Sequence, residues 1–262
     1  MKVHHHNGVR ECSMANTSPV VKPIPHSLER LVPDQLEHDE TTGHAALALH
    51  IERYQFAARH SLPSRILDIA CGVGYGTQIL RDEMTQACEV IGVDCSAESI
   101  AYAQQRYVRE GIRFIVADAM TYDDPQRFDT IVSLETIEHV PDPHRFLFRL
   151  RQLLRPGGVL IGSVPTSFTT DANPHHRSDF TERQFRALVE PCGFSVIAIL
   201  RQVQPFNPLS VLQRKERRLQ DLRPRLGQYY ITHPRALLGR LWSTLRFGFT
   251  NRYVTIAWRH NG

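Results

Sequence analysis

At 262 residues, 42% hydrophobic and 22% charged, the chain can bury one full core and has the make-up of a globular α/β or mixed protein. No apolar run approaches the roughly 20 residues a membrane span needs, no signal-peptide core is visible, and five cysteines show neither a C-x-x-C pair nor metal-ligand spacing. These features argue against a membrane-spanning or disulfide-scaffold protein and for a cytoplasmic one with reduced thiols. The net charge of +4 is unevenly spread: from Arg201 onward twelve Lys/Arg stand against two acids, giving +10 there and leaving −6 elsewhere. Such a basic stretch suits a phosphorylated substrate, nucleic acid, an anionic membrane surface, or simply a solvated helical face.

Residues 1–33 carry Pro, His and Ser without a sustained period and read as a flexible tail, in which His4, His5 and His6 need no structural role. A helix is expected over 42–60, with Ala46, Leu49, Ile51, Tyr54, Phe56 and Ala57 forming its apolar face and Pro63 marking its end. Strands at 65–70, 89–93, 112–116, 128–134, 158–164 and 194–200 follow, with helices at 75–84, 97–108, 142–154 and 181–191 between them. Arg155, Pro156, Gly157 and Gly158 form a turn that ends the helix at 142–154. Helices at 208–222 and 233–246 interrupt the alternation before a last strand at 253–258. The pattern predicts an α/β fold: a Rossmann-like, mostly parallel seven-stranded sheet with helices on both faces and a helical insertion before the last strand. Residues 34–262 then make one domain, with 205–250 as a basic insertion or cap.

The run RILDIACGVGYGT over 65–77 carries the most chemistry. A strand ends in a turn with glycines at 72, 74 and 76, and a helix starts at once. Bare backbone at a helix start lets a polar ligand approach main-chain N–H groups. Dinucleotide binders use G-x-G-x-x-G; here the spacing is G-x-G-x-G, and Thr77 stands where their last glycine would fall. Asp94 ends the second strand, where a carboxylate can accept both ribose hydroxyls, and Asp118 ends the third, near an adenine edge.

At these residues the chain resembles the class I S-adenosylmethionine-dependent methyltransferases. ILDIACGVGYG, EVIGVDCSAESIAYAQ, VADAM, FDTIVSLETIEHV and LLRPGGVLIGSVP stand in family order over 65–165, with weaker similarity to about residue 194. The resemblance implies S-adenosylmethionine as cofactor. It places Ala70, Gly72 and Gly74 on the methionine part, Asp94 on the ribose and Asp118 with Ala119 on adenine, and it adds Asp68, Thr77, Cys95 and Glu135 to the cofactor site. Arg53, in an H-x-x-R-Y pattern beginning at His50, falls near the cofactor carboxylate or else in a surface salt bridge.

The fourth strand opens into E-T-I-E-H over 135–139, where helical spacing would set Glu135 beside Glu138 and His139. This is similar to the metal-binding motif of ubiquinone-pathway O-methyltransferases and of small-RNA 2′-O-methyltransferases, and His176, four residues before Phe180, matches the spacing of a further ligand in the RNA enzymes. The resemblance implies Mg2+ or a similar ion held by Glu135, Glu138, His139 and His176. In the alternative His139 is a metal-free general base, with Glu138 beside it and Glu135 on the cofactor. Either way the expected acceptor is a small hydroxylated or sugar-like molecule. RNA, favoured only by the basic segment, and a non-catalytic cofactor-binding partner protein are the alternatives. Oligomeric state is not legible.

Overall fold

The computed structural model describes residues 24, 28, 30–87 and 89–262. His4, His5, His6, Cys12, Cys88 and most of the expected tail lie outside them. The described part of that tail is not loose. Ile24, Leu31 and Val32 are buried, and Ile24 and Val32 pack with Val73 and Tyr102.

Seven strands form one sheet in the order β3-β2-β1-β4-β5-β7-β6. They are β1 (Arg65–Ile69), β2 (Glu89–Asp94), β3 (Ile112–Val116), β4 (Phe128–Leu134), β5 (Leu154–Pro165), β6 (Phe194–Pro205) and β7 (Thr250–His260). The first five pair in parallel, and β7 slots between β5 and β6 antiparallel to both. The expected Rossmann-like α/β fold is therefore the one found. Chain order reverses between β1 and β4, so a crevice opens above their carboxyl ends, where ligands of doubly wound sheets collect.

β1 is buried along its whole length, and its alternating side chains feed two cores. Leu67 and Ile69 pack with Phe146 and Leu150 of α4 (Pro143–Leu153) and Phe185 of α5 (Glu182–Val189). Ile66 packs on the other face with Tyr54, Phe56 and Ala57 of α1 (Thr41–His60) and Leu80 of α2 (Tyr75–Glu83). Helix starts follow local capping chemistry. Ser96 caps α3 (Ala97–Tyr107), Asp142 followed by Pro143 caps α4, and Thr181 with Gln184 forms a capping box on α5.

Two expectations need correction. The turn at Arg155, Pro156, Gly157 and Gly158 is a bulge inside β5, since the pairing jumps from Phe128 with Leu154 to Thr130 with Val159. Gly157 takes a left-handed φ of 75° there. The helix expected over 208–222 is instead α6 (Pro208–Leu212) and a separate 3-10 turn at Arg217–Asp221. It breaks because Glu216 turns inward to the start of α1, accepting from Thr42 N at 2.8 Å and Gly43 N at 3.1 Å. A further helix, α7 (Leu226–Thr232), precedes α8 (Pro234–Phe247).

Candidate active site

The glycine turn sits where the topology places a ligand. Ala70, Gly72 and Gly74 follow β1 with φ of 62°, 56° and 87°, so three residues of one short turn are left-handed. Gly72 faces open space, with nothing within 4 Å of where a Cβ would stand, whereas a Cβ on Gly74 would lie 2.7 Å from the Ala103 Cβ. Glycine at 74 is thus demanded by packing against α3, and at 72 it leaves a cradle. Gly76 admits the Tyr54 ring, which a Cβ would meet at 1.9 Å.

Asp68 and Thr77 are spent on one another beneath the turn. Thr77 Oγ1 donates to Asp68 Oδ2 at 2.6 Å and the Tyr54 hydroxyl donates to Oδ1 at 3.3 Å, all three side chains being buried. Burial pushes the Asp68 carboxyl up to about 7, against the pull of these two donors. Asp68 therefore acts as a brace between β1 and α2.

Asp94 ends β2 half-exposed. Its Oδ2 accepts from Gly72 N at 2.9 Å and its Oδ1 from Ser96 N at 2.8 Å, so its carboxylate is held against the turn. Cys95 is exposed beside it as a free thiol. Asp118 is exposed past the end of β3, with Oδ1 accepting from Met120 N at 2.8 Å, and Ala119 packs against the core beneath.

Arg53 is 1% exposed, which removes the surface salt bridge as its explanation. Its Nε donates to Gln202 Oε1 at 2.7 Å, its guanidinium lies 4.2 Å over the Tyr253 ring, and one terminal nitrogen is 3.5 Å from Glu135 Oε1. Glu135 is correspondingly pulled away from the histidines. Ser163 Oγ donates to its Oε1 at 2.7 Å, Glu135 N donates back to Ser163 Oγ at 3.0 Å, and Glu135 has a left-handed φ of 47°. Ser163, Gln202 and Tyr253 escaped sequence reading; a polar Ser163 inside the apolar run of β5 was the only signal available.

The other three candidates do meet. Glu138, His139 and His176 bring carboxylate and imidazole atoms within 4.8 Å of one another, and the two imidazole rings are 4.6 Å apart, edge to face. Glu138 is fully buried, and its carbonyl accepts from Arg177 N at 2.8 Å, which ties the loop carrying His176 to the end of β4. His139 Nδ1 lies 3.2 Å from the His175 carbonyl and His176 Nδ1 lies 2.7 Å from Thr169 Oγ1. With Nδ1 engaged in both rings, Nε2 is the atom through which either would ligate or exchange a proton. Glu135 is not in this cluster, so the four-ligand set reduces to three.

Similarity to known proteins runs through the same strands. The methyltransferase-domain family matches residues 67–162. A probable S-adenosylmethionine-dependent methyltransferase of Mycolicibacterium smegmatis is 32% identical over 149 residues, 55% of this chain and 56% of the relative. A ubiquinone biosynthesis O-methyltransferase of Leptothrix cholodnii is 35% identical over 114 residues, 40% and 47% of the respective chains. The chain thus spans about half the length of these curated relatives. The N-methyltransferase NodS of Bradyrhizobium japonicum, solved with S-adenosyl-L-homocysteine, shares the fold with a TM-score of 0.55 at 13% identity, covering 86% of this chain and 90% of that one. Among the described residues no helix is long and apolar enough to cross a membrane. The open cradle at Gly72, with Asp94 braced against it, fits the sulfonium cofactor of this group. A sheet of this order, with a methyltransferase-domain sequence over residues 67–162 along its central strands, makes the chain similar to the class I S-adenosylmethionine-dependent methyltransferases in fold and in that domain.

Proposed function

We propose that this protein transfers the cofactor's methyl group to an oxygen of a small hydroxylated or sugar-like acceptor in the cytoplasm. The observation that carries the reading is the meeting of Glu138, His139 and His176 past the end of β4. Methyl transfer from a sulfonium needs chiefly an aligned nucleophile, so the protein's work is positioning. A hydroxyl nucleophile must also shed its proton, and an imidazole beside a buried carboxylate is the group that takes one near neutral pH. In this reading His139 is the base, Glu138 holds its charge, and His176 closes the acceptor side. Arg53 and Glu135 face the cofactor's amino-acid end, Asp94 its ribose, and Asp118 with Ala119 its adenine. Residues 34–262 act as one unit, with 205–250 covering the acceptor.

The three clustered side chains would also hold a divalent cation, which when bound would lower the pKa of a hydroxyl it contacts. One carboxylate and two imidazoles suit an ion that accepts nitrogen, such as Mn2+ or Zn2+, better than oxygen-seeking Mg2+.

Transfer of labelled methyl from S-adenosylmethionine to a panel of catechols, polyols and glycolipids tests the proposal. His139→Ala should abolish transfer while calorimetry shows S-adenosylhomocysteine affinity unchanged. Turnover undiminished both by chelator and in His176→Ala would retire the metal and leave His139 as a metal-free base. A chain that binds cofactor but methylates nothing in the panel would defeat the enzymatic reading.

A further inference from the structure

The insertion between β6 and β7 wears its apolar side outward. On α8, Leu238, Leu241, Trp242 and Leu245 recur at helical spacing along one face and are 57–83% exposed. Ile231, at the end of α7, is 82% exposed. The inward side of α8 is anchored by a polar contact, with small and apolar residues such as Ala236, Leu237 and Gly239 half-buried beside it. Arg240 Nε donates to Asp171 Oδ2 at 2.8 Å, and Tyr230 of α7 donates to the same oxygen at 2.6 Å. A helix that is held by an ion pair beneath and offers leucine and tryptophan to the outside has its amphipathic sense reversed relative to a core-packing helix.

The charge around this stripe is one-sided. Residues 206–249 contain nine Lys/Arg and two acids, Glu216 and Asp221. Both acids are engaged inward: Glu216 is buried under the start of α1, and Asp221 accepts from Leu28 N and meets His175. Arg235 and Arg246 stand exposed toward the two ends of α8. An exposed aliphatic stripe with an interfacial tryptophan and cationic flanks matches the plane where acyl chains meet phosphate headgroups.

We propose that α8 docks this protein onto an anionic lipid bilayer surface, lying in the interface with Trp242 and its neighbouring leucines immersed and Arg235 and Arg246 at the phosphates. The alternatives fit less well. An oligonucleotide would engage the arginines but leave the leucines wet, because strand binding rests on aromatic platforms rather than aliphatic ones. A second copy related by a two-fold axis would set one basic rim against another. The inference does not depend on the nature of the methyl acceptor. α8 rests on Asp171, and Gly239 on the Phe168 ring, in the loop that carries His176, so the docked face adjoins the acceptor side.

The test uses the full chain and vesicles of phosphatidylglycerol with phosphatidylcholine, against phosphatidylcholine alone. Flotation should recover the protein with the anionic vesicles only, and added salt should weaken binding. Trp242 emission should shift to the blue while Trp258, fully buried in the sheet, contributes a constant background. Leu241→Ser combined with Leu245→Ser should lower the partition coefficient at least about tenfold, with cofactor affinity kept as the check on folding. Absence of binding to anionic vesicles, equal binding to both vesicle types, or equal binding by the double variant would overturn the proposal. So would a dimer in sedimentation, or a tighter oligonucleotide complex, that the same substitutions abolish without any vesicle binding.

Discussion

Glu216→Ala tests whether the basic insertion is stitched to the N-terminal helix. Glu216 accepts from Thr42 N at 2.8 Å, Gly43 N at 3.1 Å and Thr41 Oγ1 at 3.3 Å, capping α1 across more than 170 residues of sequence. The residue at the cap position itself, Glu40, makes no side-chain cap. Removing the carboxylate loses a cap worth about 1 kcal/mol and a favourable charge at the positive helix end worth about 0.5 kcal/mol. It also leaves the buried Gly43 amide without this acceptor, at about 1–2 kcal/mol. The total, about 2–4 kcal/mol, lowers Tm by about 5–12 °C in a protein of this size. Glu216→Gln keeps one acceptor and turns an amino group toward a backbone N–H, so it should fall between wild type and Ala. Calorimetric scans of the three proteins, with limited proteolysis of residues 206–249, measure this. A Glu216→Ala protein melting within about 1 °C of wild type would show that α1 does not depend on the insertion for its cap.

Other outcomes follow from the site. Gly72→Ala should weaken S-adenosylhomocysteine binding by more than about tenfold with only about 1 kcal/mol of lost stability, because its Cβ enters the cradle and strains only φ. Gly74→Ala, pressed against Ala103 and Phe114, should lose both binding and stability; equal behaviour of the two in calorimetry would refute the distinction. Asp68, raised to about 7 by burial, binds its proton more tightly folded than unfolded, so its contribution is full below about pH 4 and lost as pH rises toward 7. Urea titrations should show that decline in wild type and not in Asp68→Asn, and parallel pH profiles would contradict it. Ser163→Ala frees Glu135 from its clamp and should weaken cofactor binding several-fold, with Ser163→Thr restoring it; unchanged affinity by calorimetry would count against the clamp.

The parts legible in sequence were those set by local rules. Alternating apolar strands and helices announced the sheet, and the glycine turn after the first strand marked the crevice where strand order reverses. What escaped depended on contacts between distant segments. Glu216 looked like one more charge on a helix, yet its partner is 174 residues away, and that pairing breaks the helix. Glu135 belonged by spacing with Glu138 and His139, but Ser163 from the neighbouring strand and Arg53 from α1 draw it elsewhere, aided by a left-handed backbone that removes the helical register. Helical periodicity found α8, but periodicity cannot say which side of a helix faces inward, and Asp171 decided that.

The position of β7 makes it the strand that joins β6 to the rest of the sheet. Among the described residues β6 pairs with β7 alone, and residues 206–249 form the connection that leads from one to the other along the chain. Until β7 arrives, β5 and β6 each present an open edge, the hazard that sheets most need to shorten in time. Closing that long loop costs chain entropy, which falls if the intervening segment has already condensed and brought its ends together. The insertion is therefore tied down at two points, its Arg240 on Asp171 and its Glu216 on the start of α1, which shortens the effective length of that connection in the folded state.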